Sequence, residues 1–204
     1  MAEASEAPRL IVFSDTTRAE PEQLLACFGR LAELARPFSV LFTLRDYGLT
    51  GPARWLLGQR LAELARATGQ RVGVADRADF ALALGGAALH LPEVGLLARD
   101  ARRFVGPGVF LSRGSHDPAG EPEPELDAVL LSPVFEARKG RPALGLAALE
   151  RAAAKVPRLY ALGGVEAHNA AACLARGAAG VAVIGAALAA DPAPLLDALG
   201  ILAG

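Results

Sequence analysis

The stretch Leu-Tyr-Ala-Leu-Gly-Gly-Val at residues 159–165 and the stretch Gly-Val-Ala-Val-Ile-Gly-Ala-Ala at residues 180–187 decide the fold of this chain. Each predicts a short buried strand that ends on glycine and passes at once into a helical pattern. Glycine lets the backbone approach a ligand closely and present its N–H groups, and a helix N-terminus adds partial positive charge. Two such strand ends side by side indicate a phosphate-binding corner. Each taken alone is equally compatible with an ordinary tight turn, so the rest of the chain decides.

The pattern of a short apolar run followed by a helical repeat recurs along the whole chain. The earlier apolar runs predict strands at residues 9–13, 39–44, 70–76, 87–91, 108–112 and 127–132. Helical spacing predicts helices after Pro21 and at about 52–67, 77–84, 96–104, 146–155, 166–176 and 193–202. The proline-rich, acidic segment 117–125 is expected to hold only a short helix. Strands that are apolar on both faces and alternate with amphipathic helices indicate a parallel sheet.

Eight such units favour closure into a (β/α)8 TIM barrel, a single domain over residues 1–204. An open doubly wound sheet is the alternative, but its glycine-rich fingerprint would follow the first strand. This chain has Ser-Asp-Thr-Thr-Arg at residues 14–18 instead, so the barrel is preferred. In a barrel the two glycine turns follow strands seven and eight, where such folds commonly bind phosphate.

Composition argues against several classes of partner. Hydrophobic residues make up 52% and charged residues 21% of the chain, as in globular proteins. The formal net charge of −1 argues against nucleic acid and anionic membranes. The longest uncharged apolar run, near residues 178–190, is too short to span a bilayer. Residues 1–8 are expected to be flexible and are not expected to act as a signal peptide, because they are acidic and lack an apolar stretch. We expect a soluble, cytoplasmic protein; whether it forms a homo-oligomer stays open. Cys27 and Cys173 are expected to be buried thiols.

Polar and ionisable side chains follow the predicted strands at their carboxyl ends, where barrels carry their chemistry. They are Asp15, Arg45, Asp46, Asp76, His90, Glu93, Arg113, Ser115, His116, Ser132 and Lys139. The cations Arg45, Arg113 and Lys139 suit an anionic ligand, and the glycine turns suit a phosphate.

Structural roles compete with functional ones at several of these positions. Asp15 and Asp76 precede helices, so helix capping competes with catalysis. His90 lies within an apolar strand and is interpreted as a barrel-lining residue. His116 follows its strand in a polar loop, where a proton-transfer role fits better.

Three further residues are assigned to the surface or to loops. His168 falls in a helix away from the strand ends and is interpreted as a surface residue. Arg138 and Arg141 are compatible with solvated loop charges. Lys139, between them, stands out because Lys155 is the only other lysine in the chain.

Three segments of the sequence resemble the thiamine phosphate synthase and thiazole tautomerase (TenI-type) superfamily. They are Asp-Ala-Val-Leu-Leu-Ser-Pro-Val-Phe at 127–135, the stretch from Tyr160 to Asn169, and Gly-Ala-Ala-Gly-Val-Ala-Val-Ile at 177–184. The similarity runs, with weaker agreement, from about residue 41 to residue 188. It implies a (β/α)8 barrel, in agreement with the count of strands and helices above.

The resemblance implies a site for a phosphorylated thiazole. The positions where the family holds the thiazole and its phosphate are retained here as Ser132, Pro133, Val134, Phe135, Gly163, Gly164, Ile184 and Gly185.

The half of the site that binds pyrimidine pyrophosphate and magnesium in the synthase is less well retained. The family's Gln-x-Arg-x-Lys motif keeps only Arg45, and its Asn-Asp pair keeps only Asp76 as a metal ligand. The second metal-binding aspartate falls at about Gly95, with Glu93 two residues away, while Lys139 matches the lysine of the sixth loop. A magnesium ion is implied only if the chain is a synthase.

This asymmetry favours a thiazole tautomerase, because a proton shift needs a placed imidazole and no metal. His116 stands at the position of the family's tautomerase histidine. The closest alternative is thiamine phosphate synthase, which would use Arg45, Asp76 and Lys139 with magnesium. A third interpretation is a non-catalytic, regulatory relative that binds thiazole phosphate without turnover.

Overall fold

Eight short parallel strands pair in chain order and close into a barrel, β1 pairing with β8. The structure, a computed structural model, describes residues 7–121, 123–138 and 140–204. The strands are β1 Leu10–Phe13, β2 Val40–Leu44, β3 Arg71–Ala75, β4 Ala88–Leu91, β5 Phe110–Ser115, β6 Ala128–Leu131, β7 Leu159–Leu162 and β8 Gly180–Val183. The predicted (β/α)8 barrel is therefore confirmed.

Helices on the outside of the barrel connect most of the strands. They are α1 Pro21–Leu34, α2 Gly51–Ala67, α3 Ala78–Ala83, α4 Ala98–Val105, α5 Gly145–Ala153, α6 Ala167–Ala175 and α7 Ala193–Ala198. A 3-10 helix, Gly185–Leu188, follows β8 directly. Pro21 opens α1, since proline has the backbone angle of a first helical residue and needs no acceptor there.

Alternation along the strands divides the core into two layers. Side chains that point outward, such as Val12, Phe42 and Leu89, pack against the helices in the larger apolar cluster. Side chains that point inward, such as Phe13 and Tyr160, fill the barrel interior with several alanines. The Tyr160 hydroxyl lies 2.5 Å from the Pro8 carbonyl oxygen, to which it donates a hydrogen bond at the amino-terminal end of the strands.

The connection between β5 and β6 differs from the prediction. Residues 117–121 and 123–127 form turns and bends, so the short helix expected at 117–125 is wrong for these described residues. Pro118 and Pro124 lack the N–H donors that a helix needs. The last helix, α7, is also shorter than predicted, because Gly200 takes a left-handed backbone conformation with φ 66°.

The remaining expectations concern the chain terminus, the thiols and membranes. Of the segment expected to be flexible, residues 1–6 lie outside the described residues, whereas Pro8 is buried. Cys27 and Cys173 are buried, as predicted, and burial raises the pKa of the Cys173 thiol to about 11. None of the helices that the structure describes combines the length and apolar character needed to cross a bilayer.

Candidate active site at the mouth of the barrel

Two adjoining cavities open at the carboxyl ends of the strands. The larger one, called here the central cavity, measures about 240 Å³ and is lined by Arg45, His116, Ser132, Pro133, Arg138, Arg141, Leu162, Gly163 and Ile184. The smaller one, called here the glycine cavity, measures about 80 Å³ and lies between the ends of β7 and β8. The two share Arg138, Leu162, Gly163 and Ile184, so one ligand can extend from one cavity into the other.

The turn after β7 requires glycine at both of its positions. Gly163 and Gly164 have φ values of 95° and 71°, which side chains rarely adopt. A Cβ at Gly163 would lie 2.9 Å from the Pro133 Cα, and one at Gly164 would lie 2.7 Å from the Glu136 Cβ. The turn therefore packs directly against the loop that follows β6.

The glycine turns also leave backbone donors available. The backbone hydrogen bonds of the described residues include none donated by the N–H groups of Gly163, Gly164 or Gly185. The Asn169 side chain fixes the turn from α6, because its amide group donates to the Gly164 carbonyl at 3.0 Å and accepts from the Glu166 N–H at 2.9 Å. Free N–H groups that line a cavity are suited to an oxyanion such as phosphate.

His116 lies at the rim of the central cavity, directly after β5. Its Nδ1 is 2.6 Å from the Ser132 carbonyl oxygen, the acceptor expected for an Nδ1–H donor. In the neutral ring this assignment leaves the lone pair on Nε2. The Glu93 carboxylate accepts the His116 backbone N–H at 3.0 Å and lies 3.8 Å from Nε2. An imidazole that is fixed through Nδ1 and has an available lone pair on Nε2 can accept a proton there and later return it.

Three arginines line the central cavity from two sides. Arg45 comes from the end of β2, while Arg138 and Arg141 come from the loop after β6, where their backbones pair through hydrogen bonds of 3.0 Å. Arg138 and Arg141 are exposed loop residues, as their interpretation as solvated loop charges expects, and both also contribute to the cavity lining. Lys139, predicted as catalytic, lies outside the described residues.

Arg113 does not take the ligand-binding role that its position suggested. Its guanidinium donates to the carbonyl oxygens of Pro92 at 3.0 Å and Leu96 at 2.8 Å, and pairs with Glu123 at 2.6 Å. The reason is that β5 continues to Ser115, so Arg113 still follows the strand alternation and points away from the barrel interior. It fixes the loop between β4 and α4.

His90 lines the barrel interior, as predicted. Its ring meets that of Phe13 edge to face at 5.0 Å, and its Nδ1 is 3.0 Å from the Ser112 hydroxyl oxygen. Burial, with smaller contributions from the charges of Arg113 and Arg45, lowers the pKa of His90 to about 3. His90 is therefore neutral at physiological pH. His168 is exposed on α6, also as predicted.

The capping roles considered for Asp15 and Asp76 are not observed. Glu20 precedes α1 and Arg77 precedes α3 at the cap positions. Asp15 instead pairs with the guanidinium of Arg45, its Oδ2 lying 2.8 Å from Nη2. Asp46 binds the loop after β1, accepting hydrogen bonds from the Ser14 hydroxyl and from the Thr16 N–H at 2.5 Å.

The residues near Asp76 do not by themselves form a magnesium site. Asp76 is exposed at the end of β3, with φ 63°. A Cβ on Gly95 would lie 4.0 Å from the Asp76 Oδ1, so glycine stands where a second ligand could approach the same cation. Glu93 accepts a hydrogen bond from the His116 N–H and lies 3.5 Å from Arg141.

Within the described residues no group of three or more His, Cys, Asp or Glu could hold a metal ion. Magnesium is commonly bound by one or two carboxylates together with substrate phosphates, and Asp76 could supply one such carboxylate.

Most of the predicted thiazole-phosphate positions converge on the two cavities. Ser132, Pro133, Gly163 and Ile184 line the central cavity, and Gly163, Gly164, Ile184 and Gly185 line the glycine cavity. The side chains of Val134 and Phe135 do not line either one: Val134 is fully buried in the outer core, and Phe135 packs against it. Their N–H groups bond to the carbonyls of Leu162 and Gly163, which joins the loop after β6 to β7.

Arg18, which was not among the predicted site residues, lines the glycine cavity from the loop after β1. Its guanidinium Nη1 is 3.2 Å from the place where a Gly185 Cβ would stand. Its place directly after the first strand, at the carboxyl end of the barrel, is the sequence signal that points to it.

Comparison with known proteins gives a consistent result over most of the chain. The family model described as thiamine monophosphate synthase matches residues 12–187. The thiamine-phosphate synthase of Methanoculleus marisnigri is 42% identical over 153 residues, which cover 70% of this chain and 71% of that protein. A putative thiamine-phosphate synthase of Geobacter sulfurreducens is 36% identical over 210 residues, covering 95% and 92%.

A solved structure is similar over nearly the whole length. Thiamine phosphate pyrophosphorylase from Pyrococcus furiosus has a TM-score of 0.80 and 22% sequence identity, and the match covers 97% of this chain and 98% of that one. At this identity the likeness supports the fold.

Proposed function

This chain belongs to the thiamine monophosphate synthase family, and on that premise we propose that it is a thiamin-biosynthetic enzyme which binds a phosphorylated thiazole across its two cavities. The glycine cavity offers free backbone N–H groups for the phosphate. The central cavity combines the apolar surfaces of Pro133, Leu162 and Ile184 with three arginines. These surfaces suit a flat ring that carries anionic groups.

The reaction that the geometry supports best is a proton shift, as in a thiazole tautomerase. The observation that carries this proposal is the bond of 2.6 Å between His116 Nδ1 and the Ser132 carbonyl oxygen. It fixes the ring and assigns the free lone pair to Nε2, next to the central cavity. His116 would remove a proton from one carbon of the non-aromatic thiazole and return one at another, so that the ring becomes aromatic without change in composition. The arginines would hold the carboxylate and phosphate of such a substrate.

Thiamine phosphate synthase is the second candidate, and the names of the relatives favour it over the tautomerase. The relatives at 42% and 36% identity are called thiamine-phosphate synthase, the second as putative. Arg45, Arg138 and Arg141 would also suit a pyrophosphate group. Asp76 would be the carboxylate for magnesium, which would stabilise charge on the leaving pyrophosphate. The glycine at position 95 weighs against this activity.

The two activities are tested side by side with the purified full-length chain. One assay supplies the thiazole carboxylate phosphate tautomer with EDTA and follows aromatisation; the other supplies pyrimidine pyrophosphate and thiazole phosphate with magnesium and follows pyrophosphate release. We expect aromatisation in EDTA that falls by about 10²–10⁴ in His116→Ala and is unchanged in Asp76→Ala. His168→Ala, on the exposed face of α6, is the matched control.

The opposite pattern would overturn the tautomerase proposal. Magnesium-dependent pyrophosphate release that is lost in Asp76→Ala, without aromatisation, would establish the synthase. Binding of thiazole phosphate with neither turnover would identify a non-catalytic relative.

A further inference from the structure

The loop between β1 and α1 brings a cation to the glycine cavity. Arg18 lines this cavity together with Gly163, Gly164 and Gly185. Its Nη1 lies close to the backbone of Gly185, at 3.2 Å from an added Cβ. The Arg18 side chain is 42% exposed, so it remains accessible to an anion from solvent.

Arg18 offsets negative charge around this cavity. Besides Arg18 and Arg138, the lining includes the carboxylate-bearing residues Glu136 and Glu166, so the formal charges balance. Without Arg18 the lining would carry an excess negative charge, which would oppose an anion. Binding of phosphate here is therefore expected to depend strongly on this one cation.

A single buried carboxylate holds Arg18 and the arginine of the neighbouring cavity. The Asp15 Oδ2 lies 3.5 Å from Arg18 Nε and 2.8 Å from Arg45 Nη2. Asp15 is itself fixed by Thr17, whose hydroxyl and N–H donate at 2.6 and 3.2 Å. Because Arg18 uses Nε for this pair, its terminal NH2 groups remain available to an oxyanion.

The charge of Asp15 is maintained in spite of its burial. Burial raises the pKa of Asp15, but the Thr17 hydrogen bonds and the charges of Arg45 and Arg18 more than offset this, and the pKa lies below its ordinary value. Asp15 is thus ionised at neutral pH.

We propose that Arg18 is a phosphate-binding residue of the glycine cavity, and that Asp15 is a positioning residue which holds Arg18 over this cavity and Arg45 in the central one. This inference rests on the phosphate site of the proposed function, but not on which reaction follows. Arginines held in place before binding lose less conformational freedom when the anion arrives, so Asp15 would raise affinity although it carries negative charge.

Titration calorimetry of the full chain with inorganic phosphate tests the proposal without a turnover assay. We expect Arg18→Gln to bind phosphate about tenfold more weakly than the wild type, and Arg18→Lys to recover part of the loss. Asp15→Asn is expected to weaken binding about threefold through loss of pre-organisation. Arg60→Gln is the matched control, since it removes an exposed arginine–glutamate pair between α1 and α2.

The double variant separates positioning from a general structural effect. If Asp15 acts through Arg18, Asp15→Asn has no further effect on phosphate affinity in the Arg18→Gln background. A loss that persists in that background, with circular dichroism showing folded protein, would overturn the positioning role. Equal affinities of wild type and Arg18→Gln would overturn the role of Arg18 and, with it, the role of Asp15 in positioning Arg18 for phosphate. A wild type that binds no phosphate would overturn both this inference and the phosphate site of the proposed function.

Discussion

The Glu93 carboxylate accepts the backbone N–H of His116 at 3.0 Å, which ties the loop after β4 to the residue that follows β5. The same carboxylate lies 3.5 Å from Arg141, so it also reaches the loop after β6. Three strand ends are thereby joined at the rim of the central cavity. Glu93 thereby fixes the position of the His116 backbone.

Loss of this bond is expected to disturb His116 without removing it. Glu93→Ala should lower kcat of the proton-transfer reaction by about tenfold, because small misplacements of a catalytic group are costly. Glu93→Gln retains an acceptor for the N–H and should keep most of the rate. Steady-state kinetics of both variants in EDTA check the expectation. Equal losses of kcat in Glu93→Ala and Glu93→Gln would show that Glu93 acts through its charge and not by positioning His116.

Replacement of Gly164 should destabilise the turn after β7. Alanine there would adopt an unfavourable φ of 71° and place its Cβ 2.7 Å from the Glu136 Cβ. We expect Gly164→Ala to lower the free energy of unfolding by about 1–3 kcal/mol, measured by urea denaturation. Gly48→Ala is the control, since nothing lies within 4 Å of its added Cβ, and it should change stability by less than about 1 kcal/mol. Similar values for the two variants would contradict the predicted clash.

His90 should make the fold sensitive to mild acid. Its pKa is about 3 in the folded chain against 6.5 in the reference state, so the unfolded chain binds more protons between these values. The contribution of neutral His90 to stability is therefore complete above pH 6.5 and is lost as pH falls toward 3. Between pH 7 and pH 5 the wild type should lose about 2 kcal/mol more than His90→Gln, which cannot titrate. Urea denaturation at both pH values measures the difference.

His168→Gln serves as the control for this pH effect, because His168 is exposed. It should follow the wild type at both pH values. If wild type and His90→Gln lose the same stability, the barrel interior does not keep His90 neutral.

Arg113 should control the order of the loop between β4 and α4. Its guanidinium holds the carbonyls of Pro92 and Leu96, and its side chain is only 12% exposed. In Arg113→Gln the amides of residues 93–97 should exchange hydrogen at least about tenfold faster than in the wild type. The loop can then open without breaking the hydrogen bonds between the guanidinium and the two carbonyls. Hydrogen exchange with mass spectrometry measures this. Arg99→Gln, which removes an arginine that is 67% exposed and lies 3.8 Å from its neighbour Asp100, should leave the same amides unchanged.

Features that depend on local sequence were predictable. Short apolar runs and helical spacing follow from the periods of strands and helices, and they identified eight strands in the right order. The Gly163–Gly164 turn was equally local, since a positive φ at both positions selects glycine whatever surrounds it. His90 could be assigned to the barrel interior because its neighbours in the strand are apolar.

Features that depend on contact between distant loops were not predictable. Arg113 was placed at a strand exit because the strand was expected to end at residue 112; three more residues in β5 direct its side chain elsewhere. Nothing in the spacing of Arg138 and Arg141 shows that these exposed loop charges also line the central cavity. The sequence by itself determined the barrel and the corner where its glycine turns lie, because backbone periodicity and glycine conformation are local properties. Only the tertiary structure decided that Asp15 links Arg18 to Arg45 and that Glu93 holds His116, because Asp15–Arg45 and Glu93–His116 join residues about 20 to 30 positions apart in sequence, at the ends of strands that meet only when the sheet forms.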